Sequence, residues 1–456
     1  MTAIAPRVRV LEALAYERPV VLRLPFRFGA ATVTRCGQAY VRAVVEVDGR
    51  ATVGAAAELM VPKWFDKNPA LTHEQNAEQL RTALRVASDA AVEAGTVRSA
   101  HALSLEVGEA AMHRAAALGL PRLAAQFGPA QVDKAVADAV LRATGLSWCA
   151  GLRAGVLGDP WSAALPIAEP MSVALRHTVG LADRLADDEL AADPAADPRD
   201  GLPATLERAV GTYGLTHFKL KLCGRVDDDV ARLASITSVL QRHAPANWRA
   251  TLDGNESYAD ADTLAAAWRR FADIPALAEL LRRTLLLEQP LPRALALRTP
   301  VRDLGIGVPM IIDESDDHPE AFDEALALGY RGVSSKACKG LYRSLQHAAR
   351  IAREPGLVLS GEDLTCQAGL AVQQDTLLAA SLGVAHIERN GHHYVDGFGA
   401  APADEAQAWA DAHAGFYDPA TRRLAVHDGR LDLTSLHAPG FASRVQPHWP
   451  SLTPMG

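Results

Sequence analysis

The stretch Phe218-Lys219-Leu220-Lys221-Leu222-Cys223-Gly224 sets two lysines, one residue apart, in a run that otherwise reads as a buried β-strand ending at a glycine turn. Side chains two apart on a strand share a face, so Lys219 and Lys221 point the same way. Charge at the end of a buried strand is costly unless it is paired, liganded or used. The pattern recurs downstream in Thr-Leu-Asp253-Gly-Asn255, Leu-Leu-Leu-Glu288-Gln-Pro, Met-Ile-Ile-Asp313-Glu314, Val-Ser-Ser-Lys336-Ala-Cys-Lys339-Gly, Leu-Ser-Gly-Glu362-Asp363 and His-Ile-Glu388-Arg-Asn. Such repetition describes one polar site assembled from many strands.

Between these strand ends lie amphipathic stretches with helical periodicity, at residues 227–243, 261–272, 319–329 and 340–353. Successive charged ends fall 23 to 35 residues apart, about one strand–helix unit each, and at least seven units can be counted. Strand–helix alternation of that length implies parallel strands joined by right-handed crossovers, and the number of units favours a closed barrel over an open sheet. In such barrels the C-terminal strand ends build the active site, and here the charges follow the apolar part of each strand.

The flanks read differently. Residues 7–60 carry β-like alternation with a turn at Asp48-Gly49, and 73–146 read as helices, together a small α+β unit. Residues 182–201, rich in Ala, Asp and Pro, read as an acidic surface insertion before the helix leading to Lys219. The last stretch is β-like again and is expected to pack back on the first unit. The expected organisation is therefore 1–150 for the N-terminal unit, 151–399 for the barrel and 400–456 for the returning tail.

Composition excludes several classes. The chain has 456 residues, 49% hydrophobic and 22% charged, with formal charge -8 and isoelectric point near 6.0. It has room for a large core and shows no basic patch for nucleic acid and no basic amphipathic helix for a membrane surface. The five cysteines are odd in number and lack metal-site spacing, which fits a reducing compartment. No uncharged apolar run approaches the ~18 residues of a membrane span, and the N-terminus does not read as a secretory signal. The expectation is a cytoplasmic homo-oligomer acting on a small molecule.

Asp253, Glu288 and Asp313 end three successive strands. Hard oxygen ligands converging from neighbouring strands suit Mg²⁺, one ion per subunit, with substrate oxygens and water completing its shell. Capping of the following helices is the structural alternative for each acid taken singly. A metal that polarises a bound carboxylate allows a lysine of lowered pKa to remove the α-proton, and a second lysine to return it.

The motif series resembles the enolase superfamily, and within it the mandelate racemase/muconate lactonizing enzyme group. The resemblance covers nearly the whole chain. It implies a modified (β/α)7β TIM-type barrel and an α+β capping domain formed by the N-terminal region and the C-terminal tail, an α/β protein overall. It also implies use of Mg²⁺ to stabilise an enediolate derived from a carboxylate substrate. Lys219-Leu220-Lys221 is similar to the family's Lys-x-Lys on the second strand, whose second lysine is the usual base, and Lys336 to the sixth-strand lysine of the muconate-lactonizing subgroup. Asp253, Glu288 and Asp313 correspond to the metal ligands, with Glu314 the alternative to Asp313. Asn255, Glu314, Glu362 and Glu388 are left for substrate contact or electrostatic support. The eighth strand offers His386-Ile387-Glu388-Arg389 where dipeptide epimerases carry Asp-x-Asp, which disfavours a dipeptide substrate.

Two aromatic and basic segments, Pro25–Gly29 and Lys63–Lys67, are expected as exposed turns that close over an anionic substrate through Phe26 and Trp64, the alternative being that both rings are cap core. His392 and His393, just past Glu388, are within reach of the barrel mouth, but a pair of loop histidines is more often simply solvated. Racemisation or epimerisation, cycloisomerisation and β-elimination all begin with the same proton abstraction and stay open. So do a Schiff-base lysine aldolase or lyase on the same barrel and a non-catalytic metabolite binder.

Overall fold

The computed structural model describes residues 5–96 and 98–455. Three long antiparallel strands, β1 (Val8–Phe28), β2 (Ala31–Val47) and β3 (Arg50–Met60), form a meander. Its first turn is at Gly29, where φ is +50°, and its second at Asp48-Gly49. A short helix, α1 (Pro62–Phe65), follows, and then α2 (His73–Glu93), α3 (Ala100–Ala117) and α4 (Arg122–Thr144). Thr72 and Gln75 close a reciprocal capping box at the start of α2. α2 and α4 pack on the sheet. The approach of α4 to β3 is so close that a Cβ on Gly54 would stand 2.0 Å from the carbonyl of Ala135, so only glycine fits there.

Eight parallel strands follow: β4 (Ser172–Val179), β5 (His217–Lys221), β6 (Arg249–Asp253), β7 (Thr284–Glu288), β8 (Met310–Ile312), β9 (Gly332–Ser335), β10 (Val358–Gly361) and β11 (His386–Glu388). Each pairs with the next, and β11 pairs back onto β4 with Ile387 opposite Leu175, so the barrel is closed. The expected TIM-type barrel with an α+β cap is the observed architecture. Lys219 and Lys221 lie on the second barrel strand, Asp253 and Glu288 end the third and fourth, and Glu388 ends the eighth. Asp313, Lys336 and Glu362 stand one residue past the fifth, sixth and seventh.

The insertion at 182–201 holds a short helix (Asp187–Ala192), and it lies between β4 and the helix Leu206–Tyr213 that leads into β5. The tail divides its contacts. Thr453 and Pro454 pair antiparallel with Glu17 and Tyr16 of β1, as expected of a segment returning to the cap. Arg430–Asp432 instead pairs with the N-terminal end of β4, on the barrel itself. Among the described residues no helix is long and apolar enough to cross a membrane.

Candidate functional site

The barrel interior at the C-terminal strand ends is a network of buried charge. Lys219 Nζ lies 2.7 Å from Glu288 Oε2, 2.6 Å from Glu362 Oε2, and 3.0 Å from both Asp253 Oδ2 and Glu388 Oε2. Burial alone would lower its pKa, but the four carboxylates outweigh it and hold the ammonium well above its ordinary value. Lys221 Nζ contacts Asp253 Oδ2 at 2.5 Å. A second pair stands beside this one, with Lys336 Nζ 2.5 Å from Asp313 Oδ2. Burial opposes both charges there too. Asp313 nevertheless raises the Lys336 ammonium, and Lys336, Lys339 and Lys219 depress the Asp313 carboxyl. The lowered pKa expected of a basic lysine is not what Lys336 shows: the acid it faces raises it, as the four acids raise Lys219.

Glu288 behaves differently from its neighbours. Burial, and then the Asp253 and Glu362 carboxylates, push its pKa well above the usual range. Both its carboxylate oxygens are buried without accepting a hydrogen bond; the Lys219 ammonium is near, but not in hydrogen-bonding geometry. Glu314 Oε2 and Asn255 Oδ1 are orphaned in the same way. Unpaired buried acceptors need an account, and here they lie beside Asp253 and Asp313. The residues fit a hard divalent cation held by Asp253, Glu288 and Asp313, with Glu314 and Asn255 adjacent. Among the described residues no group of three acids, histidines or cysteines is arranged to hold a metal ion; the acids converge on the Lys219 ammonium instead.

The backbone at these strand ends is strained. Asn255, Glu256, Gln289 and Thr365 all have positive φ, at 41°, 67°, 33° and 68°, a region that non-glycine residues occupy at a cost and that recurs at ligand sites. Gln289 secures the next loop. Its Oε1 accepts from the amides of Asp313 and Ser315, and its Nε2 donates to Ser315 Oγ.

Phe26, Phe28, Val61, Trp64, Lys219, Lys221, Asn255, Lys336, Asp363, Leu364, Thr365 and Glu388 line a small cavity of about 20 Å³, space for roughly one water. Phe26 and Trp64 are buried, not exposed as expected, and they roof this cavity, so they are cap core and site wall at once. Trp64 Nε1 donates to Asp313 Oδ2, and its ring lies 4.2 Å from Lys336 Nζ. The roof is strapped down. Arg293 donates to the carbonyls of Trp64 and Phe65 and pairs with Glu256, and Lys67 Nζ reaches Glu256 Oε2 (2.6 Å), Glu314 Oε1 and the carbonyl of Asn255. A larger open groove of about 620 Å³ lies between α3, α4, the loop at 317–320 and the start of the helix Leu341–Ile351, and it lacks Lys219, Lys221 and Lys336 and the acids they contact.

Several participants were not picked out from the sequence. Arg176, on β4, donates to Ser360 Oγ, to the carbonyl of Gly361 and to Glu362, and Thr178 bonds Glu388. The signal was an arginine inside the apolar run Val-Ala-Leu-Arg176-His-Thr178-Val. His392 and His393 are buried rather than solvated: His392 Nε2 lies 2.9 Å from His177 Nδ1, and burial holds all three rings below their ordinary pKa.

No family model and no curated protein matches the chain. Solved structures do. The muconate lactonizing enzyme of Pseudomonas fluorescens, complexed with muconolactone, is 16% identical, with 96% of this chain and 97% of that chain covered and a TM-score of 0.64. The 2-chloromuconate cycloisomerase of Rhodococcus opacus is 17% identical over 96% and 97%, with a TM-score of 0.64. A dipeptide epimerase of Enterococcus faecalis, complexed with Mg and the dipeptide L-Leu-L-Tyr, is 14% identical over 95% and 99%, with a TM-score of 0.62. The chain has the fold these enolase-superfamily proteins share, which is the fold implied by its strand-end motifs.

Proposed function

We propose that this chain is an enolase-superfamily enzyme, of the muconate-lactonizing type, that removes the α-proton of a small carboxylate substrate. The observation that carries the reading is the convergence of Lys221 and Lys336 on one roofed cavity, where the lysines that line it contact the buried acids Asp253, Glu288 and Asp313. Mg²⁺ held by Asp253, Glu288 and Asp313 would polarise the substrate carboxylate and acidify its α-C–H bond. Lys221 takes the proton: the C–H bond breaks, an N–H bond forms, and the electron pair passes to the carboxylate. Lys336, from the sixth strand, faces the other side of the substrate. It returns a proton in a racemisation or epimerisation, or stabilises the developing charge when a β-group leaves or adds within the molecule. Lys219 compensates the acid cluster, and Glu362 and Glu388 hold Lys219 in place. Phe26 and Trp64 exclude water, while Asn255 lines the cavity for polar contact and Glu314 stands behind it.

The test is a screen of acid sugars, N-acyl amino acids and other α-hydrogen carboxylates for exchange with solvent deuterium, with and without EDTA. Exchange abolished by EDTA supports the proposal. Covalent trapping by borohydride with EDTA-insensitive turnover would establish the Schiff-base alternative instead, and metal-dependent binding without exchange on any ligand would indicate a binder.

A further inference from the structure

The motif at the sixth strand contains two lysines, and the structure separates them. Lys336 lines the cavity; Lys339 does not, and it faces the groove behind the site. Lys339 is buried, with Nζ 2.9 Å from Asp316 Oδ2, donating to Ser334 Oγ (2.8 Å) and to the carbonyl of Asp313 (3.4 Å), and 3.5 Å from Asp313 Oδ1. Ser334 in turn donates to Asp313 Oδ1. Asp316 is fully buried and is held from its other side by His347 Nε2, 3.1 Å from each carboxylate oxygen, and by Arg343, which lies 3.6 Å from Oδ1 and donates to the Asp316 carbonyl.

The two oxygens of Asp313 are thus divided. Oδ1 is engaged from behind by Ser334 and Lys339, while Oδ2 faces Lys336 and Trp64 on the cavity side. We infer that Lys339 and Asp316 are a positioning pair that fixes the rotation of the Asp313 carboxylate, so that one oxygen is anchored and the other is presented to a cation. This rests on the proposed metal-assisted function. Asp316 acts at one remove, by orienting Lys339 against Ser334 and Asp313. The logic is that of outer partners that orient a ligating carboxylate, whose loss commonly weakens metal affinity by about 10–100-fold.

The experiment is Mg²⁺ titration by calorimetry and by thermal shift on wild type, Lys339→Met, Lys339→Arg and Ser334→Ala, with folding checked by circular dichroism. Lys339→Met should bind Mg²⁺ about 10–100-fold more weakly, Lys339→Arg should recover part of that loss, and Ser334→Ala should show a smaller loss. A purely structural role would lower the melting temperature of the metal-free protein while leaving the Mg²⁺ affinity unchanged, and that result overturns the pairing. Should Lys339→Met not fold, Ser334→Ala decides: unchanged Mg²⁺ affinity there overturns the pairing. If wild type itself fails to bind Mg²⁺, the metal-assisted function fails and this assignment goes with it; if wild type binds and the variants match it, only this assignment fails.

Discussion

The indole Nε1 of Trp64, carried by the cap, donates to Asp313 Oδ2 at the end of the fifth barrel strand, 3.3 Å away. One side chain therefore joins the two structural units and touches a candidate metal ligand. Trp64→Phe keeps the ring over Lys336 but deletes the donor, and should cost about 1.5–3 kcal/mol, the range for a hydrogen bond to a charged group. Trp64→Ala also removes a buried ring, for about 3–5 kcal/mol. Urea unfolding of both variants checks this, and a Trp64→Phe protein as stable as wild type would show that the hydrogen bond contributes nothing.

Among the described residues Lys219 is the only cation in contact with four buried acids at once. Lys219→Met leaves those acids uncompensated, which should cost about 3–5 kcal/mol at neutral pH. Without the ammonium, Glu288, whose pKa burial and the neighbouring carboxylates already raise, is lifted further above its value in the unfolded chain. The folded state then binds more protons than the unfolded one, and stability rises as pH falls. The deficit relative to wild type should shrink from pH 8 to pH 5. Denaturant curves at the two pH values measure it, and a deficit that grows on acidification would contradict the network.

His177 gives the opposite sign. Burial lowers its pKa from 6.5 to about 3, so between those values the unfolded chain binds a proton that the folded protein does not. The stability this ring contributes is present above pH 6.5 and is lost as pH falls toward 3. Between pH 6.5 and 5 the wild type should lose up to about 1.4 kcal/mol per pH unit relative to His177→Gln. Parallel stability curves for the two proteins would show that the ring does not stay neutral.

Much of the barrel was legible because its signal is local. A run such as Phe218–Leu222 states its burial through Phe218, Leu220 and Leu222 and its use through Lys219 and Lys221, and the same local code marks Asp253, Glu288 and Glu388. What escaped depends on pairing at long range. Nothing in Arg430–Asp432 specifies antiparallel pairing with β4 rather than with the cap, since only the closed barrel defines that edge. The strap from Arg293 and Lys67 to Glu256 looks like ordinary surface charge until the cap lies on the barrel. His392 and His393 follow a polar turn, yet they are buried against His177 from the first strand. The raised pKa of Lys219 is of the same kind, since it follows from 2.6–3.0 Å contacts with four acids that only the closed barrel brings together.

The central claim, that Lys221 and Lys336 exchange the α-proton of a carboxylate on either side of one cavity, is tested most directly by following α-proton exchange in D₂O by NMR. The samples are wild type, Lys221→Ala and Lys336→Ala, each with Mg²⁺ and a substrate found by screening. In a racemisation or epimerisation, each variant should lose exchange from a different stereoisomer. In a one-base reaction, Lys221→Ala should abolish exchange, while Lys336→Ala slows turnover by about 10²–10³-fold, as for loss of one transition-state contact. Exchange at the wild-type rate in both variants would contradict the account.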